Sequence, residues 1–145
     1  MSVVARLIGA MVFALVACLP ALAFDTPEAL VRALYAPYLA DEIPEDGRAY
    51  FSADTQALWA ALEARDPYGL GFDPVIDGQD FHITELAVSQ PLPLPDGVEL
   101  RVGFRNFGEP RDLAYRLVEE AQGWRIDDIV AEDDPQWRLR ALLGE

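Results

Sequence analysis

Lysine is absent from this chain, and histidine and cysteine occur once each among its 145 residues. All eleven positive charges are therefore arginines, set against 25 aspartates and glutamates, and the formal net charge is −14. Because such a surface repels phosphate groups, the composition argues against nucleic acid as a partner. The charge is also explained without any partner, because it keeps a small protein soluble. One histidine and one cysteine supply no zinc ligand set and no nucleophilic triad, so no metal or cofactor is expected.

The first 23 residues have the pattern of a secretory signal peptide. Arg6 lies in a short n-region, an apolar run of 17 residues follows, and Ala21-Leu22-Ala23 forms a small-residue end. The run is short for a membrane-spanning helix of about 20 residues, which favours cleavage before Phe24 over a retained anchor. The sequence therefore predicts a signal peptide at 1–23 and a single domain at 24–145, placed in the periplasm or secreted.

Cys18 leaves a second interpretation of the leader open. Leu15-Val16-Ala17-Cys18 resembles the lipobox of bacterial lipoproteins, in which an acylated cysteine anchors the mature chain to a membrane. The apolar residues that follow Cys18 favour ordinary cleavage. In that case the mature chain has no cysteine and no disulfide, and membrane association is expected only if Cys18 is lipidated.

Spacing of apolar residues predicts an α+β domain with helices on one face of an antiparallel sheet. Thr26-Pro27 and Ser52 are typical of helix starts, and Asp134-Pro135 is expected to open a last short helix. A strand is predicted over 81–90 and a three-stranded meander over 98–130, about four strands in all. The proline-rich stretch 91–97 between them is predicted to be a loop.

Three segments, LYAPYLA, FDPVIDGQD and GWRIDDI, together resemble the bacterial domain-of-unknown-function family 3828. That family belongs to the nuclear transport factor 2-like superfamily and contains secreted proteins and lipoproteins of the cell envelope. The resemblance implies a cone-shaped, cystatin-like fold, in which a curved antiparallel sheet wraps the N-terminal helices and leaves a cavity. It also implies a homodimer formed through the open sheet face, and it brings no established reaction.

Several residues are candidates for ligand binding inside such a cavity. The aromatic residues Tyr35, Tyr38 and Trp124 occur at a spacing compatible with a hydrophobic core, so we assign them first to the core and second to the lining of an apolar pocket. Asp73 and its neighbours either line the cavity mouth or cap turns, and a calcium loop is disfavoured because Val75 and Thr84 occupy ligand positions. The candidates for ligand binding are Tyr35, Tyr38, Asp73, Gln79, Asp80 and Trp124.

Two functions from different classes follow. The first is a non-catalytic envelope protein that binds a small apolar or amphipathic ligand or another envelope protein. The alternative is a small hydrolase, isomerase or dehydratase that uses a His–Asp pair, with His82 and Asp128 as candidates and with Asp73 or Asp80 as other carboxylates. This alternative requires His82 to share a face with Leu86 and Val88, as strict alternation predicts.

Overall fold

The computed structural model describes residues 22–145. Of the predicted signal peptide only Leu22 and Ala23 belong to this range, and Cys18 lies outside the described residues. Among the described residues, no helix is long and apolar enough to span a bilayer. The helices are α1 (Pro27–Leu39), a 3-10 helix (Gly47–Tyr50), α2 (Ala53–Arg65) and α3 (Leu139–Leu143). The strands are β1 (Ile83–Val88), β2 (Leu92–Leu94), β3 (Gly97–Asn106), β4 (Glu109–Glu120), β5 (Gly123–Ala131) and β6 (Trp137–Arg138).

Both long helices begin where the sequence predicts. The Thr26 hydroxyl accepts a hydrogen bond from the backbone N–H of Ala29 at 3.2 Å, and proline follows at the first helical position. The Ser52 hydroxyl accepts one from the N–H of Thr55, also at 3.2 Å. Each cap satisfies an N–H that the first helical turn leaves without a partner.

The sheet is antiparallel throughout, with the order β1-β3-β4-β5-β6 and with β2 beside β1 along the same edge of β3. The α+β class is confirmed, whereas the predicted cone with about four strands is wrong, because the sheet formed within residues 22–145 has six strands. β2 forms within the stretch predicted to be a loop: it pairs only with β3, and an edge strand accommodates Pro93 because the missing N–H can face solvent. β6 replaces the start of the predicted last helix, which begins at Leu139.

A β-bulge in β1 changes the face of the residues before it relative to the residues after it. Glu85 has a φ of 55°, and the pairing with β3 shifts register between Thr84 and Ala87. Ile83 before the bulge is 3% exposed, and Leu86 after it also packs against the core. The prediction that His82 faces the same way as Leu86 is therefore wrong, because one extra residue exchanges the two faces of a strand.

The core lies between one face of the sheet and the helices. Leu30 and Val31 of α1 are fully buried, as are Leu100 and Val102 of β3, and α1 contacts β1, β3 and β5.

Candidate binding cleft

A cleft of about 940 Å³ lies between the C-terminal part of α1, the loop 40–46, the 3-10 helix, α2 and the segment 67–75. Tyr38 comes from α1 and Trp59 from α2, and both contribute to its wall. Two large apolar side chains line the cleft yet remain almost entirely in solvent: Ile43 is 91% exposed and Tyr68 is 92% exposed. The cleft is therefore open, with unburied apolar surface belonging to two separate segments.

Tyr38 and Asp73 meet in the wall of the cleft. The Tyr38 hydroxyl donates to Asp73 Oδ2 at 2.5 Å, while Asp73 Oδ1 accepts from the backbone N–H of Val75 at 2.9 Å. The second bond makes Asp73 the cap of a tight turn, as one interpretation of its sequence predicted. Burial and the nearby Asp73 charge raise the pKa of Tyr38, which therefore stays a protonated donor at neutral pH.

Behind the cleft, two fully buried tyrosines tie α1 to the sheet and to the turn. The Tyr35 hydroxyl donates to the carbonyl of Val75 at 2.5 Å and lies 2.9 Å from the Tyr115 hydroxyl. Because each hydroxyl has one proton, Tyr115 is the donor in the second bond. Burial raises the pKa of both tyrosines well above the ordinary value, so both remain neutral.

We expect Tyr35→Phe to lower the free energy of unfolding by about 2 kcal/mol, because it removes a donor from a buried carbonyl and the acceptor of the buried Tyr115 hydroxyl. Urea unfolding followed by tryptophan fluorescence measures the change. The matched control is Tyr68→Phe at an exposed position, with a change below about 0.5 kcal/mol. Equal stability of the two variants would contradict a structural role for the tyrosine pair.

The other ligand candidates lie elsewhere. Gln79 donates to the carbonyl of Gly71 at 2.9 Å, and Asp80 accepts from the N–H of Phe81 at 2.9 Å; both are exposed. Trp124 is the second residue of β5, and its backbone N–H donates to the Phe24 carbonyl at 3.2 Å. Of the six candidates, only Tyr38 and Asp73 line the cleft.

The structure does not bring the candidate catalytic pair together. His82 is exposed, and its Nδ1 lies 3.2 Å from Asp41 Oδ1. Asp128 is 1% exposed and belongs to β5, which is separated from β1 by β3 and β4. Three strand spacings amount to about 14 Å, too far for proton transfer between them. Among residues 22–145 there is also no group of three or more His, Cys, Asp or Glu side chains placed to hold a metal ion.

Charge in the cleft is mostly negative. Among the described residues that line it, the carboxylates belong to Glu42, Glu45, Asp46, Glu63 and Asp73, and the single base is Arg48. Arg48 Nη1 donates to Glu63 Oε2 at 2.7 Å, Nη2 donates to the other oxygen, and Arg48 Nε lies 3.4 Å from Asp46. This pairing leaves the remaining carboxylates of the cleft without a basic neighbour in its lining.

The exposed pair Ile43 and Tyr68 is not among the binding residues that the sequence predicts. Local composition makes DEIPEDG (41–47) a polar loop, although an isoleucine among four acids, a proline and a glycine is unusual in a solvated turn. Ile43 is therefore the one residue whose local sequence indicates an exposed apolar contact. Nothing in the sequence around Tyr68 indicates such a contact, because Asp66-Pro67-Tyr68-Gly69 is also an ordinary helix end.

Comparison with known proteins gives one informative result. No protein-family model and no curated protein matches the chain. A chain of the type VI native effector–immunity complex Tae3–Tai3 from Ralstonia pickettii is similar in structure, with a TM-score of 0.56 and 19% sequence identity over 77% of this chain and 98% of that chain. At this identity the likeness concerns the fold alone. This likeness and the six-stranded sheet together contradict the cone-shaped fold that the family resemblance implied.

Proposed function

We propose that this chain is an exported protein of the bacterial cell envelope that binds another protein through the cleft. The observation that carries the proposal is the pair of large apolar side chains, Ile43 and Tyr68, that line the cleft while more than nine-tenths exposed. Exposed apolar surface beside a concavity marks interaction sites, and tyrosine is enriched among the residues that dominate binding energy. The predicted signal peptide supports the cellular location.

A protein fits this cleft better than a small ligand does. Small-molecule sites enclose most of the ligand surface, whereas Ile43 and Tyr68 stand in solvent around this opening. The likeness to a chain of an effector–immunity complex supports the proposal, because that fold occurs there in a chain that assembles with another protein. A small-molecule ligand held against Tyr38 and Trp59 is the second candidate, supported by the volume of about 940 Å³.

Catalysis is less well supported than binding. Asp73 uses both carboxylate oxygens in bonds that hold Tyr38 and the turn in place. His82 lies outside the cleft lining, beside Asp41 and the exposed ring of Phe107. Neither Asp73 nor His82 is therefore available as a general base directed at a substrate in the described cleft.

Site-specific photo-crosslinking in the native envelope tests the proposal. A photoreactive residue at position 68 is expected to give a discrete adduct that mass spectrometry identifies. The control places the same residue at Phe107, which is 60% exposed and does not line the cleft. No adduct at position 68, or the same adducts at both positions, would refute a protein-binding cleft.

With the partner purified, Tyr68→Ala is expected to weaken binding about 30-fold, a loss of about 2 kcal/mol that is typical of a tyrosine at the centre of an interface. Phe107→Ala serves as the matched aromatic control and should change the affinity less than twofold. Isothermal titration calorimetry measures both. An unchanged affinity in Tyr68→Ala would move the interface away from the cleft.

A further inference from the structure

We propose that the partner inserts a cationic segment into the cleft, with arginine or lysine side chains next to an apolar residue. This inference rests on the proposed protein-binding function and specifies the partner's chemistry. The apolar residue would contact Ile43 and Tyr68, and the cations would lie against Glu42 and Glu45.

Two carboxylates of the cleft are free to meet such a cation. Glu42 and Glu45 are exposed, and neither forms an ion pair with any residue in the part of the chain that the structure describes. By contrast, Asp73 is held by Tyr38, and Glu63 is held by Arg48. The free charges lie on the same loop as Ile43, so one inserted segment could contact both kinds of group.

The C-terminal end of α1 adds to the negative potential. Pro37 and Tyr38 line the cleft, and the last turn of this helix contains no basic residue. Carbonyl groups at a helix C-terminus carry a partial negative charge that favours nearby cations. The backbone of the helix end therefore acts in the same direction as Glu42 and Glu45.

The outer face of the sheet is also rich in charged side chains, but there several acids lie next to arginines. There Arg101 bonds Asp112 and Glu132, Arg105 lies 2.9 Å from Glu85, and Arg116 lies 3.4 Å from Glu99. These arginines neutralise the acids around them. Glu42 and Glu45 in the cleft have no such arginine beside them among the described residues, so electrostatic complementarity there favours a basic partner.

A second copy of this chain fits the cleft poorly. The chain has no lysine, and most of its arginines already bond its own acids or backbone carbonyls. Two copies would also repel each other, because each has far more acids than bases. The occupant is therefore a different protein with a basic protruding segment.

The test uses the purified protein and a fluorescein-labelled blocked peptide of sequence Arg-Trp-Arg-Leu-Arg, followed by fluorescence anisotropy. Comparison peptides replace each arginine by neutral citrulline or by glutamate. We expect the arginine peptide to bind at least about tenfold more tightly than the citrulline peptide, with an affinity that falls as salt rises. Binding that is absent, or equal for arginine and citrulline, would overturn the inference.

Paired charge variants locate the binding. The double variant Glu42→Gln, Glu45→Gln is expected to weaken the arginine peptide at least about fivefold. The control Glu109→Gln, Glu119→Gln removes the same charge from exposed positions in β4 and should weaken it less than twofold. Equal losses in the two double variants would show attraction to the acidic surface in general and refute the cleft as a cation site.

The crosslinking and the glutamate variants together distinguish a partner without cations from the absence of any partner at the cleft. If the crosslinked adduct forms at position 68 and Tyr68→Ala weakens the partner while the glutamate variants bind it normally, the cleft binds a protein whose inserted segment is not cationic. If position 68 gives no adduct, both proposals fail.

Discussion

Asp128→Ala is expected to lower the free energy of unfolding by about 3 kcal/mol. Asp128 is 1% exposed; its Oδ1 accepts from the backbone N–H groups of Ile129 and Arg140, both at 3.0 Å, and its Oδ2 accepts from Arg138 Nε. Alanine would leave these donors without an acceptor. The Arg138 side chain is 45% exposed and can regain water, so most of the cost comes from the backbone N–H groups.

Guanidinium chloride unfolding measures this change, and two other variants define its origin. Asp128→Asn keeps one acceptor oxygen and should cost about half as much. Glu132→Ala removes a carboxylate that is 58% exposed and bonded to Arg101, so its cost should stay below about 1 kcal/mol. A loss in Asp128→Ala no greater than that in Glu132→Ala would show that the C-terminal segment is held mainly by apolar contacts.

Gly97→Ala is expected to destabilise the fold by about 3 kcal/mol or more. A Cβ at this position would lie 2.0 Å from the carbonyl oxygen of Leu117 and 3.1 Å from its carbon. Both atoms belong to the backbone of β4, which is paired with β3 over nine residue pairs, so no flexible side chain can move aside. The two strands would have to separate at the start of β3, where Gly97 also pairs with Leu94 of β2.

A second glycine in the same strand provides the control. A Cβ on Gly103 would have its nearest neighbour at 3.9 Å, an ordinary contact distance, so Gly103→Ala should change stability by less than about 1 kcal/mol in either direction. Thermal unfolding by circular dichroism compares the two variants. Similar melting temperatures would mean that β3 and β4 adjust at Gly97 more freely than their pairing suggests.

Local patterns predicted the parts of the fold that local energetics control. Thr26 and Ser52 start helices because their hydroxyls satisfy an N–H only three residues away. The long strand β3 buries alternate residues from Leu100 to Asn106, and β4 packs Leu113, Tyr115 and Leu117 on the same core. The bulge at Glu85 was not predictable in this way, because a one-residue register shift depends on which residues of β3 lie opposite.

The candidate cleft was predicted only in part, for a similar reason. Tyr38 and Asp73 were selected from their residue types, and they bond each other across 35 positions of the chain. His82 and Asp128 were grouped by chemistry alone, and the strand order keeps them apart. Local patterns do not predict the exposure of Ile43 and Tyr68, because the solvent exposure of a side chain depends on which distant segments of the chain cover it.

The sequence by itself determined the α+β class, the starts of both long helices, the central strands and the acidic balance, since each follows from neighbouring residues or from composition. The tertiary structure alone decided the six-stranded order, the outward position of His82 and the joining of Ile43, Tyr68 and the free glutamates around one cleft. These features depend on pairings between distant segments, and the free energy of such pairings is not contained in any local stretch of the chain.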